Sequence, residues 1–169
     1  MGKTIFGAIR NGEKAVYTDP VGITASEVFS AKSLRAVVKA STVDTIALAA
    51  DAATEIMGFI DFVGTAGSTD GDDSAPIENS GLVSYEAPVC QSTSYNVALT
   101  QEQIDKAVGT TCGVLENSDI LYADLANTTA AQQVLLITGG KVGAAGSASL
   151  YVRMNMNLAG QIEAVDAIA

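Results

Sequence analysis

Apolar and polar residues alternate in short runs along this chain, the period of half-buried strands rather than of helices. Ile5, Gly7 and Ile9 alternate with Phe6 and Ala8, and Ala15-Val16-Tyr17 follows Asn11-Gly12, the strongest short-range hairpin signal. Asp19-Pro20 closes this unit, because the residue before a proline is driven to extended geometry. Further strands are expected around Val43, Ile46 and Leu48, from Ile56 to Val63 with Gly58 as a bulge, and from Leu82 to Val89, ended by Pro88. Gly113 to Leu125 and Gln132 to Thr138 are also strand-like. In the last strand Leu150, Val152, Met154, Met156 and Leu158 share one face, and Tyr151, Arg153, Asn155 and Asn157 take the other. That apolar stripe reads as core, with a subunit contact as the alternative, since methionine adapts to irregular surfaces.

Two segments carry helix signals. Thr24 and Glu27 have capping-box spacing, and Val28, Ala31, Leu34 and Val38 fall near a helical period. Residues 24–40 are therefore expected to be helix or loop and helix, against the β-forming pairs Val28-Phe29 and Val37-Val38. Thr100-Gln101-Glu102-Gln103 is a second capping box, opening a short helix with Ile104 and Val108 on one face and a stop at Gly109.

Gly64 to Pro76 is rich in Gly, Ser and Asp with nothing evident to bury, and reads as an exposed loop. Gly139-Gly140-Lys141 and Gly143 to Ser147 read as turns, Ala49 to Thr54 as an acidic turn, and Gly160 to Ala169 as an arm without a packing signal. No internal repeat at a fixed period is visible. The expected fold is mainly β: a small β-barrel or sandwich of short strands with one or two short helices. It forms one β-rich domain over 1–169, with lobes 1–63 and 81–169 joined by the Gly/Ser/Asp loop 64–80.

Composition narrows the function classes. Ala, Gly, Ser and Thr make up 71 of 169 residues, and Ile, Leu, Val and Phe only 43, a small-residue core that still exceeds a disordered composition. No uncharged run reaches the length of a membrane-spanning helix, and the start lacks an apolar signal region, so neither membrane insertion nor secretion is expected. The net charge of −10 divides unevenly. Residues 1–39 carry +3, from Lys3, Arg10, Lys14, Lys32, Arg35 and Lys39 against Glu13, Asp19 and Glu27, while residues 40–169 carry −13. Phosphate backbones need a basic surface, so nucleic acid is not an expected partner.

Chemistry-bearing patterns are few. With no histidine, the commonest general base and metal ligand is missing. Cys90 and Cys112 are expected to be buried free thiols rather than a disulfide. Gly139-Gly140-Lys141-Val142 follows a strand as a phosphate loop would, but lacks the earlier glycine and the Ser or Thr after the lysine. Asp70, Asp72, Asp73 and Glu78 form the one carboxylate cluster; calcium is conceivable there, but the EF-hand spacing is absent and a solvated loop is the simpler reading. No catalytic, cofactor-binding or metal residue is assigned, and the chain is read as a non-enzyme.

Several stretches together resemble the capsid decoration (cement, or head-stabilising) proteins of tailed bacteriophages. They are Asn11-Gly12-Glu13-Lys14, Ser41 to Leu48, Gly58-Phe59-Ile60, Ala87-Pro88-Val89 leading through the Thr100 helix to Val108-Gly109, and the strand from Leu150 to Asn155. The resemblance implies a β-rich virion protein, made in the host cytoplasm, that binds the major capsid protein on the outside of an icosahedral shell, often as a homotrimer. Such a protein clamps capsomers and performs no chemistry. The basic N-terminal quarter suggests the capsid-facing side, with Lys3, Arg10 and Lys14 as contacts. The alternative is another self-assembling virion subunit, a tail-tube or minor capsid protein.

Overall fold

The computed structural model describes residues 9–10, 13–14, 18–41 and 44–156. Two-residue strands β1 (Ile9–Arg10) and β2 (Glu13–Lys14) pair antiparallel, Ile9 opposite Lys14 and Arg10 opposite Glu13. The pairing brackets the expected Asn11-Gly12 turn, which itself lies outside the described residues. The chain then forms β3 (Val21–Ile23), β4 (Val28–Phe29), β5 (Ala36–Lys39), β6 (Thr45–Leu48), β7 (Gly58–Ile60) and β8 (Gly64–Thr65). Two short strands follow on either side of Pro76, β9 (Ser74–Ala75) and β10 (Ile77–Glu78). The second half holds β11 (Tyr85–Gln91), β12 (Ser94–Tyr95), helix α1 (Gln101–Ala107), β13 (Thr111–Asn117), β14 (Ile120–Asp124), β15 (Leu135–Val142) and β16 (Ala148–Met154).

These strands make two main sheets, of order β10-β7-β5-β6-β3-β9 and β12-β11-β14-β13-β15-β16. The second closes on itself, because β11 also pairs with β16. The first closes through the run Ser74–Glu78, whose two halves pair with β3 and β7 on opposite sides. Thr18 N donates to Ile77 O at 2.9 Å and Asp61 N to Pro76 O at 3.1 Å, continuing both ladders past the proline. Closure leaves neither ring with a long free edge, the usual hazard of a sheet. The architecture is thus mainly β: among the described residues, two small rings of short strands with one α-helix.

The segment from 24 to 40 is strand and turn, not helix. Ser26 sits at φ 59°, outside right-handed helical geometry, and the Thr24 hydroxyl donates to Ile46 O at 2.9 Å instead of capping. Val37 and Val38 extend as β5, where β-branched side chains pack well and lose less rotamer freedom than in a helix. The expected helix at Thr100 does form: Thr100 Oγ1 accepts from Gln103 N, and Gln103 returns a carboxamide oxygen to Thr100 N at 2.8 Å. Ile104 is buried, but Val108 is 46% exposed at the helix end and does not share its packing.

Other expectations are corrected locally. β11 runs through Pro88 to Gln91: residues 85–88 lie against β16 and residues 89–90 against β14 on the other side, so the missing N–H falls where the strand changes partner. The Gly113–Leu125 stretch is a hairpin of β13 and β14 turning at Ser118 (φ 53°) and Asp119 (φ 61°), the paired positive φ of a primed turn. Gly139-Gly140-Lys141 lies inside β15 instead of turning; a Cβ on Gly140 would meet Ser149 O at 2.7 Å and Ile104 Cγ2 at 2.9 Å, so the glycine lets α1 sit on the sheet. Residues 68–72 are exposed as expected, but Gly64–Thr65 pair with β4, Ser74–Glu78 close the first ring, and Ala66, Ala75, Ile77 and Glu78 are buried, so the segment from 64 to 80 is not a bare loop throughout.

One hydrophobic cluster runs through both rings. Leu34 N donates to Leu121 O at 3.0 Å, Leu121 N donates to Ser33 Oγ at 2.8 Å, and Phe59 stacks on Tyr85 with ring centroids 4.2 Å apart. Of the last-strand stripe, Leu150 and Val152 are core, Met154 is half-buried and Met156 is 44% exposed; Leu158 lies outside the described residues.

Candidate functional site

The proposed contact residues sit at the N-terminal end of the chain. Lys3 lies outside the described residues; Arg10 and Lys14 stand on β1 and β2 of the two-stranded ribbon, at register positions opposite Glu13 and Ile9. This ribbon is a sheet separate from the two rings. The chain enters the first ring at Thr18, which binds Ile77 twice, through Thr18 N to Ile77 O and Ile77 N to Thr18 Oγ1 at 3.1 Å. The other basic residues of the N-terminal quarter are dispersed. Lys32 and Lys39 are exposed, while Arg35 is half-buried and donates from Nη1 to Phe62 O at 3.1 Å.

Two open grooves carry mixed linings. One of about 570 Å3 lies between the rings, edged by Lys32, Arg35, Phe59, Tyr85 and Glu86. The other, of about 800 Å3, is edged by Val108, Thr138, Lys141, Tyr151 and Arg153, with Lys141 Nζ 2.8 Å from Glu86 Oε1. Lys141 thus sits on an exposed strand, paired with a carboxylate, in a place that no phosphate loop occupies.

The carboxylates of the 70–78 segment do not converge. Asp70 Oδ1 accepts from Ala25 N at 2.8 Å, Asp73 Oδ2 from Gly67 N at 2.8 Å and Asp72 Oδ2 from Thr69 N at 3.1 Å, so each ties down a stretch of loop backbone. Glu78 is buried apart from them, bound by Ser80 N at 2.8 Å, by Ser80 Oγ and by Tyr85 O–H at 3.2 Å. Among the described residues no group of three or more acid or thiol side chains is placed to hold a metal ion.

Cys90 and Cys112 are both buried free thiols. Burial first, and the nearby Asp124 carboxylate second, push each thiol up to about 12, which keeps it protonated and unreactive near neutral pH.

A second acidic group, absent from the sequence reading, forms where the two rings meet. Glu116 N donates to Asp51 Oδ1 at 2.6 Å and Asp119 N to Glu116 Oε1 at 2.7 Å. Glu27 approaches the same carboxylates. Burial raises its pKa above the ordinary 4.5, a hydrogen bond from the Leu48 backbone opposes the rise, and Asp119 and Glu116 add to it. These residues are spread from 27 to 119 in sequence, and no local pattern could have joined them. A scan of protein-family models, a search of curated proteins and a search of solved structures each returned no match to this chain.

Proposed function

We propose that this protein is a non-enzymatic structural component of a virion, binding the outer surface of an icosahedral capsid and stabilising contacts between capsomers. The observation that carries this reading is the N-terminal ribbon: a separate two-stranded sheet bearing Arg10 and Lys14, in the quarter of the chain that is +3 while the remainder is −13. A short ribbon outside the rings can lie along a neighbouring protein's sheet edge or groove. Many copies on a shell then reach high occupancy from individually weak contacts. The resemblance to phage decoration proteins and the mainly β architecture support the same reading.

The experiment is size-exclusion chromatography with light scattering, on the protein alone and then mixed with empty capsids of a candidate host virus. The expected result is a small soluble species that shifts stoichiometrically onto capsids. Growth into rings or filaments by the protein alone would point instead to a tail-tube or other self-assembling subunit.

A further inference from the structure

The two rings share more than their size. In chain order, call the five strands of each ring first to fifth: β3, β5, β6, β7 and the run Ser74–Glu78 in one, and β11, β13, β14, β15 and β16 in the other. In both, the first strand pairs with the third, the third with the second, the second with the fourth, the fourth with the fifth, and the fifth returns to the first. In both, the first-to-third pairing is parallel and the other four are antiparallel.

The registers also correspond. Shifting the five strands by 64, 77, 75, 75 and 77 residues converts Val21 opposite Ala75 into Tyr85 opposite Val152, and Val37 opposite Leu48 into Val114 opposite Ala123. The same shifts convert Lys39 opposite Ile46 into Glu116 opposite Leu121, and Ile60 opposite Ile77 into Leu135 opposite Met154. In a closed ring, register sets the stagger and hence the tilt of the strands, so equal registers mean the same barrel geometry.

The interior obeys the same shifts. Val21, Ile23, Val37, Ile46, Leu48, Ile60, Phe62, Ala75 and Ile77 map onto Tyr85, Ala87, Val114, Leu121, Ala123, Leu135, Ile137, Val152 and Met154; fourteen of the eighteen belong to the buried hydrophobic cluster, and Val21, Phe62, Tyr85 and Met154 pack against it. Side chains alternate across a strand, so these shifts keep each interior residue on the same face of its strand in both rings. Of the nine pairs only Val37 and Val114 are the same amino acid, which is why no repeat shows in the sequence. The copies differ most between first and second strands, where one holds β4 and the other, 13 residues longer by these shifts, holds β12 and α1.

We infer that the chain is two copies of one five-stranded barrel unit fused in tandem, residues 18–78 and 82–155, each keeping the interior scheme while the sequence diverged. A single unit repeated in one chain buries its partner-facing surface without needing a second polypeptide. The inference stands apart from the proposed function.

Cross-strand α-proton contacts by NMR on the unmodified protein test it. The expected set is Val37–Leu48 and Lys39–Ile46 in one barrel, matched by Val114–Ala123 and Glu116–Leu121 in the other, with a parallel first-to-third pairing in each. A register in either barrel that breaks these shifts, or a parallel pairing present in only one, overturns the inference. As a second measurement on the full chain, the equivalent pairs Lys39→Cys with Ile46→Cys and Glu116→Cys with Leu121→Cys should each form a disulfide on oxidation, while Lys39→Cys with Ala47→Cys and Glu116→Cys with Tyr122→Cys should not. Cross-linking in the displaced pairs would overturn it equally; if a cysteine variant does not fold, the NMR contacts decide.

Discussion

Single residues in this protein are constrained chiefly by close backbone approach and by burial. Gly58 holds φ at 149°, and a Cβ there would fall 2.2 Å from the Glu78 carbonyl oxygen. Gly58→Ala should therefore cost about 3 kcal/mol in urea unfolding, from strain plus displacement of the paired strand; a loss below about 1 kcal/mol would show that β10 moves away freely. The sequence marked Gly58 as a bulge but gave no hint of the carbonyl that makes it necessary. Glu27 supplies a pH effect. Its folded pKa is raised, so the native state holds the proton more tightly than the unfolded chain. Its contribution to stability is full below 4.5 and is lost as pH climbs through the raised folded value. Glu27→Gln should flatten that part of the stability curve and leave the variant relatively more stable near neutral pH than in acid; thermal melts across the range will read the difference, and parallel curves would contradict it.

At the scale of elements, local signals succeeded where one element satisfies itself and failed where a distant strand decides. Helix α1 has seven residues, too short to persist alone, and depends on its capping box, the Lys106–Glu102 pair at 2.7 Å and the burial of Ile104 on β15. Thr100→Ala should lower stability by about 1 kcal/mol, with faster hydrogen exchange confined to residues 101–109; unchanged exchange there would mean that packing alone holds the helix. Thr24 offered the same spacing without the same result. Its hydroxyl is taken by Ile46 O, and Ala25 N is taken by Asp70, 45 residues away, so the backbone there finds partners outside any helix. Gly139-Gly140 has the look of a turn for a related reason: glycine marks both turns and close packing, and the Ile104 side chain that selects between them comes from another element.

For the whole molecule, the charge division gives the proposed capsid binding an expected salt dependence. Exposed charges are screened over about 10 Å at 0.1 M salt, so binding through the basic N-terminal quarter should weaken as salt rises. Reversing Lys3, Arg10 and Lys14 to Glu should reduce capsid occupancy most at low salt and flatten its salt dependence; occupancy unchanged at every ionic strength would exclude these residues as contacts. Asp51, Glu116 and Asp119 gather with Glu27 at the junction of the two barrels, so the −13 of residues 40–169 is partly drawn together by the fold and not spread evenly.

Local sequence pattern is sufficient for the β-rich class, the strands β6, β7, β11 and β13 to β16, the pairing about Asn11-Gly12, the capped helix and the buried state of both cysteines. Each of these rests on contacts within a few residues or on composition, where a period of two, a turn dipeptide or a cap is sufficient physical cause. Long-range pairing settles that Pro88 stands inside a strand, that Ser74–Glu78 closes a ring, and that Val28-Phe29 and Val37-Val38 extend. It alone brought out that residues 18–78 and 82–155 repeat one barrel. Those features depend on which strands meet and in what register, and many different apolar residues can fill the same interior position. Eight of nine equivalent core pairs changed identity while keeping their place, so the repeat survives in the geometry and not in the letters.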